Sequence, residues 1–286
     1  MQNKEKKSGF VAILGRSNVG KSTLLNALIG TKVAIVTSKP QTTRNAIQGI
    51  LHGKNGQIVF VDTPGIFQKS KDVLTSKLTK RAKEALVGID AVIYLVDPTR
   101  DIGNEESIVF NMVKVLKIPK FLVINKMDLE DRPYFEKYKE MAKIFDNVFE
   151  ISALKQKNLK NLVSKLFEVL PYGPEYYPEH QFTNVENAFW FSEFIREKVF
   201  DLTSDEIPYS INVEIEEMAE RPNNLTYIKA LIITSNERYK KMLIGSEGRK
   251  IKQIGSFVRK ELELITNKKI YLDLNVKVDE HWIEKF

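Results

Sequence analysis

A chain of 286 residues with 43% hydrophobic side chains is long enough for two domains with real cores, and 28% charged residues is ordinary for a water-soluble protein. No apolar run approaches the roughly 18 residues that span a bilayer, and MQNKEKKSGF lacks the apolar stretch of a signal peptide. Without cysteine there is no disulfide or thiolate metal site, which fits the cytoplasm.

The net charge of +7 points to polyanionic partners but is uneven: residues 184–286 carry 16 basic and 18 acidic side chains, the remainder 28 and 19. The basic side chains of the later part are bunched. Between Glu237 and Lys252, six (Arg238, Lys240, Lys241, Arg249, Lys250, Lys252) stand against two acidic ones, Glu237 and Glu247.

In chain order, an apolar run from Phe10 to Leu14 breaks at Gly15 and reaches Gly20-Lys21-Ser22, after which Leu24, Leu25, Ala27, Leu28 and Ile29 predict an amphipathic helix. Strand, glycine loop and helix with G-x-x-x-x-G-K-[ST] in the turn is a polyphosphate site. Glycines let backbone N–H groups close on the phosphates, Lys21 reaches the β- and γ-phosphates, and the Ser22 hydroxyl can ligate Mg²⁺. The helix adds its positive N-terminal end. The loop residues expected at the nucleotide are Gly15, Arg16, Ser17, Asn18, Val19, Gly20, Lys21, Ser22 and Thr23.

A polar segment with Pro40, Thr42, Thr43 and Arg44 follows, and either threonine can offer Mg²⁺ a hydroxyl. Gly53-Lys54-Asn55-Gly56 predicts a hairpin turn between strands 46–52 and 57–62. The second strand ends at Asp62-Thr63-Pro64-Gly65-Ile66. Asp62 is placed to hold Mg²⁺ and the Gly65 N–H to meet a γ-phosphate, so the following segment is held or released with that phosphate. Ile66 stands where many relatives of this fold carry a water-orienting glutamine, and it cannot hydrogen-bond a nucleophile.

Residues 90–97 and 119–124 read as buried parallel strands, alternating with helices expected at 104–116, 132–145 and 158–169, the pattern of a doubly wound α/β domain. Strand 119–124 ends in Asn125-Lys126-Met127-Asp128. Guanine presents adjacent N1–H and N2–H₂ donors to the Asp128 carboxylate and adenine does not; Asn125 can contact the base edge, and the Lys126 stem can cover its face. Strand 147–151 ends at Ser152-Ala153-Leu154, whose backbone can meet the base O6. Together these motifs select GTP over ATP.

GRSNVGKS, QTTR, DTPG, NKMD and SAL in this order resemble translation-factor-class GTPases, and with the second domain below the chain resembles the Era family of bacterial ribosome-assembly GTPases over almost its whole length. The resemblance implies GTP/GDP and Mg²⁺ as ligands, slow GTP hydrolysis, and a hydrophobic residue after DTPG. It also implies K⁺ held by Asn18 in place of an arginine finger. Catalytic contributions are thus assigned to Lys21, Asn18, Thr43 and Gly65, and metal contacts to Ser22, Thr42, Thr43 and Asp62. Ser17 departs from the family's usual proline.

PYGPEYYPEHQFTN marks a boundary, giving a GTPase domain at 1–172, a linker at 173–184 and a second domain at 185–286. There a helix at 185–203, strands at 210–218 and 226–234, two helices and a strand at 269–278 are expected, the order of an α+β type II KH domain. Ile244-Gly245-Ser246-Glu247-Gly248-Arg249-Lys250-Ile251-Lys252 joins the two helices within the basic cluster. It matches the KH glycine loop, where the sugar-phosphate backbone of single-stranded RNA approaches. The resemblance extends to the 3′ end of 16S ribosomal RNA and the small ribosomal subunit as partners, a monomeric state, and contact with the inner face of the cell membrane. The sequence ends at His281-Trp282-Ile283-Glu284-Lys285-Phe286, without the family's arginine- and leucine-containing tail, and Trp282 is expected to pack on the sheet. A nucleotide-gated membrane-surface or cell-cycle regulator and a related RNA-modification GTPase are the alternative functions.

Overall fold

Lys7–Leu14 (β1) lies at the centre of a six-stranded sheet because its apolar residues are buried on both faces, Val11 to Leu14 fully. The computed structural model describes residues 6–37, 42–54, 56–65, 73–203 and 207–285, so Pro40, Asn55 and Ile66 lie outside the described residues. Lys21–Ile29 (α1), Ile47–Gly53 (β2), Gly56–Asp62 (β3), Val73–Glu84 (α2), Ala91–Val96 (β4), Asn104–Lys114 (α3), Lys120–Ile124 (β5), Phe135–Glu140 (α4), Asn147–Glu150 (β6) and Leu159–Val169 (α5) follow. The strand order is β2-β3-β1-β4-β5-β6, with β2 antiparallel to β3 and the other pairings parallel. The chain leaves β1 for one neighbour through β3 and for the other through β4. A crevice therefore opens at the carboxyl end of β1, where doubly wound sheets place ligands.

Two elements depart from the expected pattern. Helix α2 falls in a stretch to which no element was assigned; its Lys77, Lys80, Arg81 and Lys83 hide a short apolar stripe, Leu74, Leu78 and Ala82, buried at a spacing of four. The helix expected over 132–145 begins only at Phe135, beyond Pro133, and tightens into a 3₁₀ turn at Met141–Ile144.

The chain divides into compact units Met1–Asn184 and Val185–Phe286, so the stretch expected as a linker is counted with the first. It is fastened there by backbone bonds from Gly173 N–H to Lys6 O (3.0 Å) and from Ile50 N–H to Phe182 O (2.9 Å). The Gln57 amide meets the Tyr177 carbonyl at 2.8 Å, and the Tyr177 hydroxyl donates to Gln48 Oε1 at 2.5 Å. The bonds to Gln48 and Ile50 lie along β2, the edge strand on that side of the sheet.

The second unit runs Asn187–Leu202 (α6), Ile211–Arg221 (β7), Leu225–Thr234 (β8), Glu237–Ile244 (α7), Arg249–Thr266 (α8), Lys269–Val278 (β9) and Trp282–Lys285 (α9). Its sheet has the order β7-β8-β9, antiparallel then parallel. Phe191, Phe194 and Ile195 of α6, Ile254, Val258 and Leu262 of α8, and Ile228, Ala230 and Ile232 of β8 form its core. Trp282 is buried, as expected of a residue that packs rather than binds.

Candidate functional site

The turn after β1 needs a residue without a side chain. A Cβ on Gly15 would lie 2.5 Å from the Leu95 carbonyl oxygen. Gly20 takes φ +99° as the N-cap of α1, and Asn18 sits at φ +61°, the region that asparagine tolerates best after glycine. This folds the loop over Lys21, which is 7% exposed and donates to the carbonyls of Gly15 (3.1 Å) and Arg16 (2.9 Å).

Beside it three oxygens converge. The Ser22 hydroxyl donates to Asp62 Oδ2 at 2.7 Å and lies 2.9 Å from the Thr43 hydroxyl, which reaches the same carboxylate oxygen at 3.3 Å. Asp62 is fully buried, and its Oδ1 has no hydrogen-bond partner among the described residues. Burial pushes the Lys21 ammonium down and the Asp62 carboxyl up, each countered by the charge of the other. An oxygen set with one orphaned carboxylate oxygen fits a hard divalent cation that takes its other ligands from phosphate and water. Thr42 stands apart, with its hydroxyl 2.7 Å from that of Thr37. One cavity is lined by Ser17, Asn18, Gly20 to Thr23, Ile35 to Thr37, Thr42, Thr43 and Gly65, so loop, threonine segment and Gly65 share one space. Thr63 serves the scaffold: its hydroxyl donates to the Ile13 carbonyl at 2.9 Å.

Two residues expected at the nucleotide also brace the loop from the protein side. The Arg16 guanidinium is buried against Glu106 of α3 (3.0 Å) and donates to the Asp101 (2.7 Å) and Arg100 (3.1 Å) carbonyls. The same Glu106 carboxylate accepts from the Tyr94 (2.5 Å) and Tyr138 (3.0 Å) hydroxyls, and burial, together with this acidic neighbour, raises both phenols above their ordinary value. Arg16 thereby anchors the backbone whose carbonyl holds Lys21. Asn125 is a strut, its amide donating to the Val19 carbonyl (2.8 Å) and its oxygen accepting from Ala153 N–H (2.9 Å).

Asp128 Oδ1 accepts from the Ser152 hydroxyl at 2.5 Å, and that bond holds its carboxyl below the ordinary value. Lys126, at φ +60°, reaches the buried Asp97 at 2.6 Å. Ala153 is buried, whereas the Leu154 side chain is exposed.

Asp97, Arg100 and Arg81 were missed. Asp97 carries the signal used for Asp62, an acid at the carboxyl tip of an apolar strand. Arg100 holds the Ser17 carbonyl at 2.8 Å. Arg81 of α2 donates to the Arg44 carbonyl (3.1 Å) and to Asn45 Oδ1 (2.6 Å), joining the helix after Gly65 to the segment of Thr43.

In the second unit, Gly245 (φ +72°), Glu247 (φ +55°) and Gly248 (φ +72°) make the tight link between α7 and α8. A Cβ on Gly245 would lie 2.7 Å from that of Lys250, whereas one on Gly248 meets nothing nearer than Ile251 at 4.0 Å. Ser246, Glu247, Arg249 and Lys252 are exposed, and Ile244, Lys250 and Ile251 are half-buried. Ile251 packs on the core, while Lys252 enters a groove of about 370 Å³ between α8 and β9. Gly255, Ser256, Arg259, Tyr271, Leu272 and Leu274 also line that groove, and none of them was expected from the glycine motif.

A family model described as a 50S ribosome-binding GTPase matches residues 10–126, and one described as a KH domain matches 206–283. The chain is 44% identical over 284 residues to GTPase Era of Halothermothrix orenii, covering 98% of this chain and 95% of that protein. It is 42% identical, with the same coverage, to GTPase Era of Carboxydothermus hydrogenoformans. Among solved structures, an Aquifex aeolicus Era variant bound to GDP·AlF₄⁻ has 38% identity and a TM-score of 0.91 over 98% of this chain and 96% of that one. Era in complex with MgGDPNP and nucleotides 1506–1542 of 16S ribosomal RNA has 37% identity and a TM-score of 0.91 over the same shares.

Asp128→Asn replaces the carboxylate expected to accept two base hydrogen bonds with a group that also donates. With charge-assisted bonds at about 1.5–3 kcal/mol each, GTP affinity is expected to fall at least about 100-fold and xanthine nucleotides to be favoured. Calorimetric titration with GTP and XTP measures this, and unchanged GTP affinity would remove Asp128 from the base edge.

Proposed function

Because the chain belongs to the Era family of GTPases, which hydrolyse GTP to GDP and phosphate, we propose that it is a GTP-controlled RNA-binding factor of small-subunit assembly, acting in the cytoplasm as a monomer. The observation that carries the reading is the Ser22–Thr43–Asp62 cluster, in a chain that also bears the glycine loop Gly245–Gly248 beside a basic groove. Ser22, Thr43 and Asp62 are the residues that would hold Mg²⁺, with Thr43 rather than Thr42 supplying the threonine oxygen. Bound there, Mg²⁺ neutralises charge on the β- and γ-phosphates. Lys21 turns from its loop carbonyls to those phosphates, and Asp128, steadied by Ser152, selects guanine. The Gly65 N–H reads the γ-phosphate, and Arg81 ties the helix beyond it to the Thr43 segment, so both segments respond together.

The second unit is assigned the 3′ end of small-subunit ribosomal RNA, a reading supported by the Era structure in complex with nucleotides 1506–1542 of 16S ribosomal RNA. Gly245 and Gly248 admit the sugar-phosphate backbone, and Arg249, Lys250 and Lys252 supply charge.

Gly248→Asp tests the RNA half. Space is open at this position and aspartate tolerates its positive φ, so the fold is expected to survive while the added charge faces phosphate. RNA binding should fall by at least tenfold with GTP hydrolysis unchanged; retained RNA affinity would overturn the glycine-loop site. Liposome co-sedimentation without RNA separates this function from a membrane-surface one.

Asn18 is proposed as a K⁺ ligand that compensates for Ile66. Hydrolysis should then run faster in K⁺ than in Na⁺ at equal ionic strength, and equal rates would remove the assignment.

A further inference from the structure

Strand β9 lies at the edge of its sheet, bonded only to β8 among the described residues. Its alternation turns Ile270, Leu272, Leu274 and Val276 toward the core and leaves Tyr271 on the outer face, 58% exposed. Tyr271 is registered directly against Tyr227 of β8. The two rings stack with centroids 5.7 Å apart and planes 23° from parallel. The Arg221 guanidinium lies 4.2 Å from the centre of the Tyr227 ring. A row of π-bearing groups thus runs from β7 to the edge of the sheet. A cross-strand aromatic pair on a solvent face accounts for Tyr227, which is half-buried beneath Arg221. It does not account for Tyr271, a large ring left more than half open.

The position of that ring supplies the reason. Tyr271 also lines the groove, whose opposite wall carries Lys252 and Arg259 and whose inner surface includes Ile251, Leu272 and Leu274. Resting on the RNA-binding reading of that groove, we propose that Tyr271, backed by Tyr227 and Arg221, is a base-stacking shelf. A single-stranded RNA that fills the groove crosses the β9 edge and lays one further nucleobase on the Tyr271 ring. Any base has a π-face, so the shelf adds affinity without demanding a particular base there. The occupant is RNA because the shelf is continuous with a groove edged by cations, and because stacked tyrosine with arginine behind it is suited to base faces.

The test uses the full chain and fluorescently labelled single-stranded RNA from the small-subunit 3′ end. One set of oligomers, about four nucleotides long, fills the groove alone, and a second set is extended by about four nucleotides at either end. Tyr271→Leu is expected to weaken one of the extended oligomers by roughly five- to hundredfold in anisotropy titrations. The short oligomer, the thermal midpoint and GTP hydrolysis should be unchanged, and Tyr271→Phe should behave as the parent. Equal binding of both extended oligomers by parent and Tyr271→Leu would overturn the shelf. So would a loss shared by Tyr271→Phe, which assigns the effect to the hydroxyl, or a loss equal in the short oligomer, which assigns it to the groove. If the parent chain binds none of these RNAs, the groove reading itself falls and the shelf with it.

Discussion

A lysine and an aspartate buried on the same side of one loop constrain the first unit more than any other feature. Lys21 is held by two backbone carbonyls and Asp62 by two hydroxyls, and neither is exposed enough for water to carry its charge. Burial acts against both charges, lowering the ammonium and raising the carboxyl. A polyphosphate with a divalent cation answers both demands at once: anionic oxygens for Lys21, and a positive centre for the open Asp62 oxygen. A bound nucleotide and its cation would thus balance both buried charges.

The surrounding fold keeps that arrangement from collapsing. Its loop is pinned from behind by Arg16 on Glu106, from the side by Arg100 on the Ser17 carbonyl, and from above by the Asn125 strut. Each of these residues comes from a different strand end or helix, so a six-stranded sheet serves to position about ten atoms. The segments proposed to respond to the γ-phosphate, around Thr43 and after Gly65, are joined to each other through α2. Arg81 bonds α2 to the segment after Thr43 through a carbonyl and a neutral amide oxygen. A fixed loop beside segments that are coupled to each other is what a nucleotide switch requires.

Much of this was legible in the sequence wherever chemistry follows from residue type at fixed spacing. The glycine loop, the Asp62 strand tip, the Asp128 carboxylate and the Gly245–Gly248 turn are local patterns of that kind, and the two-unit order followed from periodicity. What escaped depends on contacts between distant segments. Arg16 reads as one of the loop residues at the nucleotide, and only the fold reveals Glu106, ninety residues later, as its partner. Asn125 reads as a base contact, and only the fold adds its bonds to Val19 and Ala153. Helix α2 was masked by its lysines, and the proline-rich 173–184 reads as a spacer because its bonds are made to β2 and β3, more than 100 residues earlier. Tyr271 carried no motif, and its meaning comes from register with Tyr227 and from the groove beside it.

Backbone hydrogen exchange across residues 42–46, 63–65 and 73–84 addresses the nucleotide switch most directly. With Mg²⁺ and a non-hydrolysable GTP analogue, exchange in all three stretches should slow together relative to the GDP-bound chain, while the loop at 15–22 should be protected equally in both states. Equal exchange of the three stretches with GDP and with the analogue would contradict a switch held by the γ-phosphate.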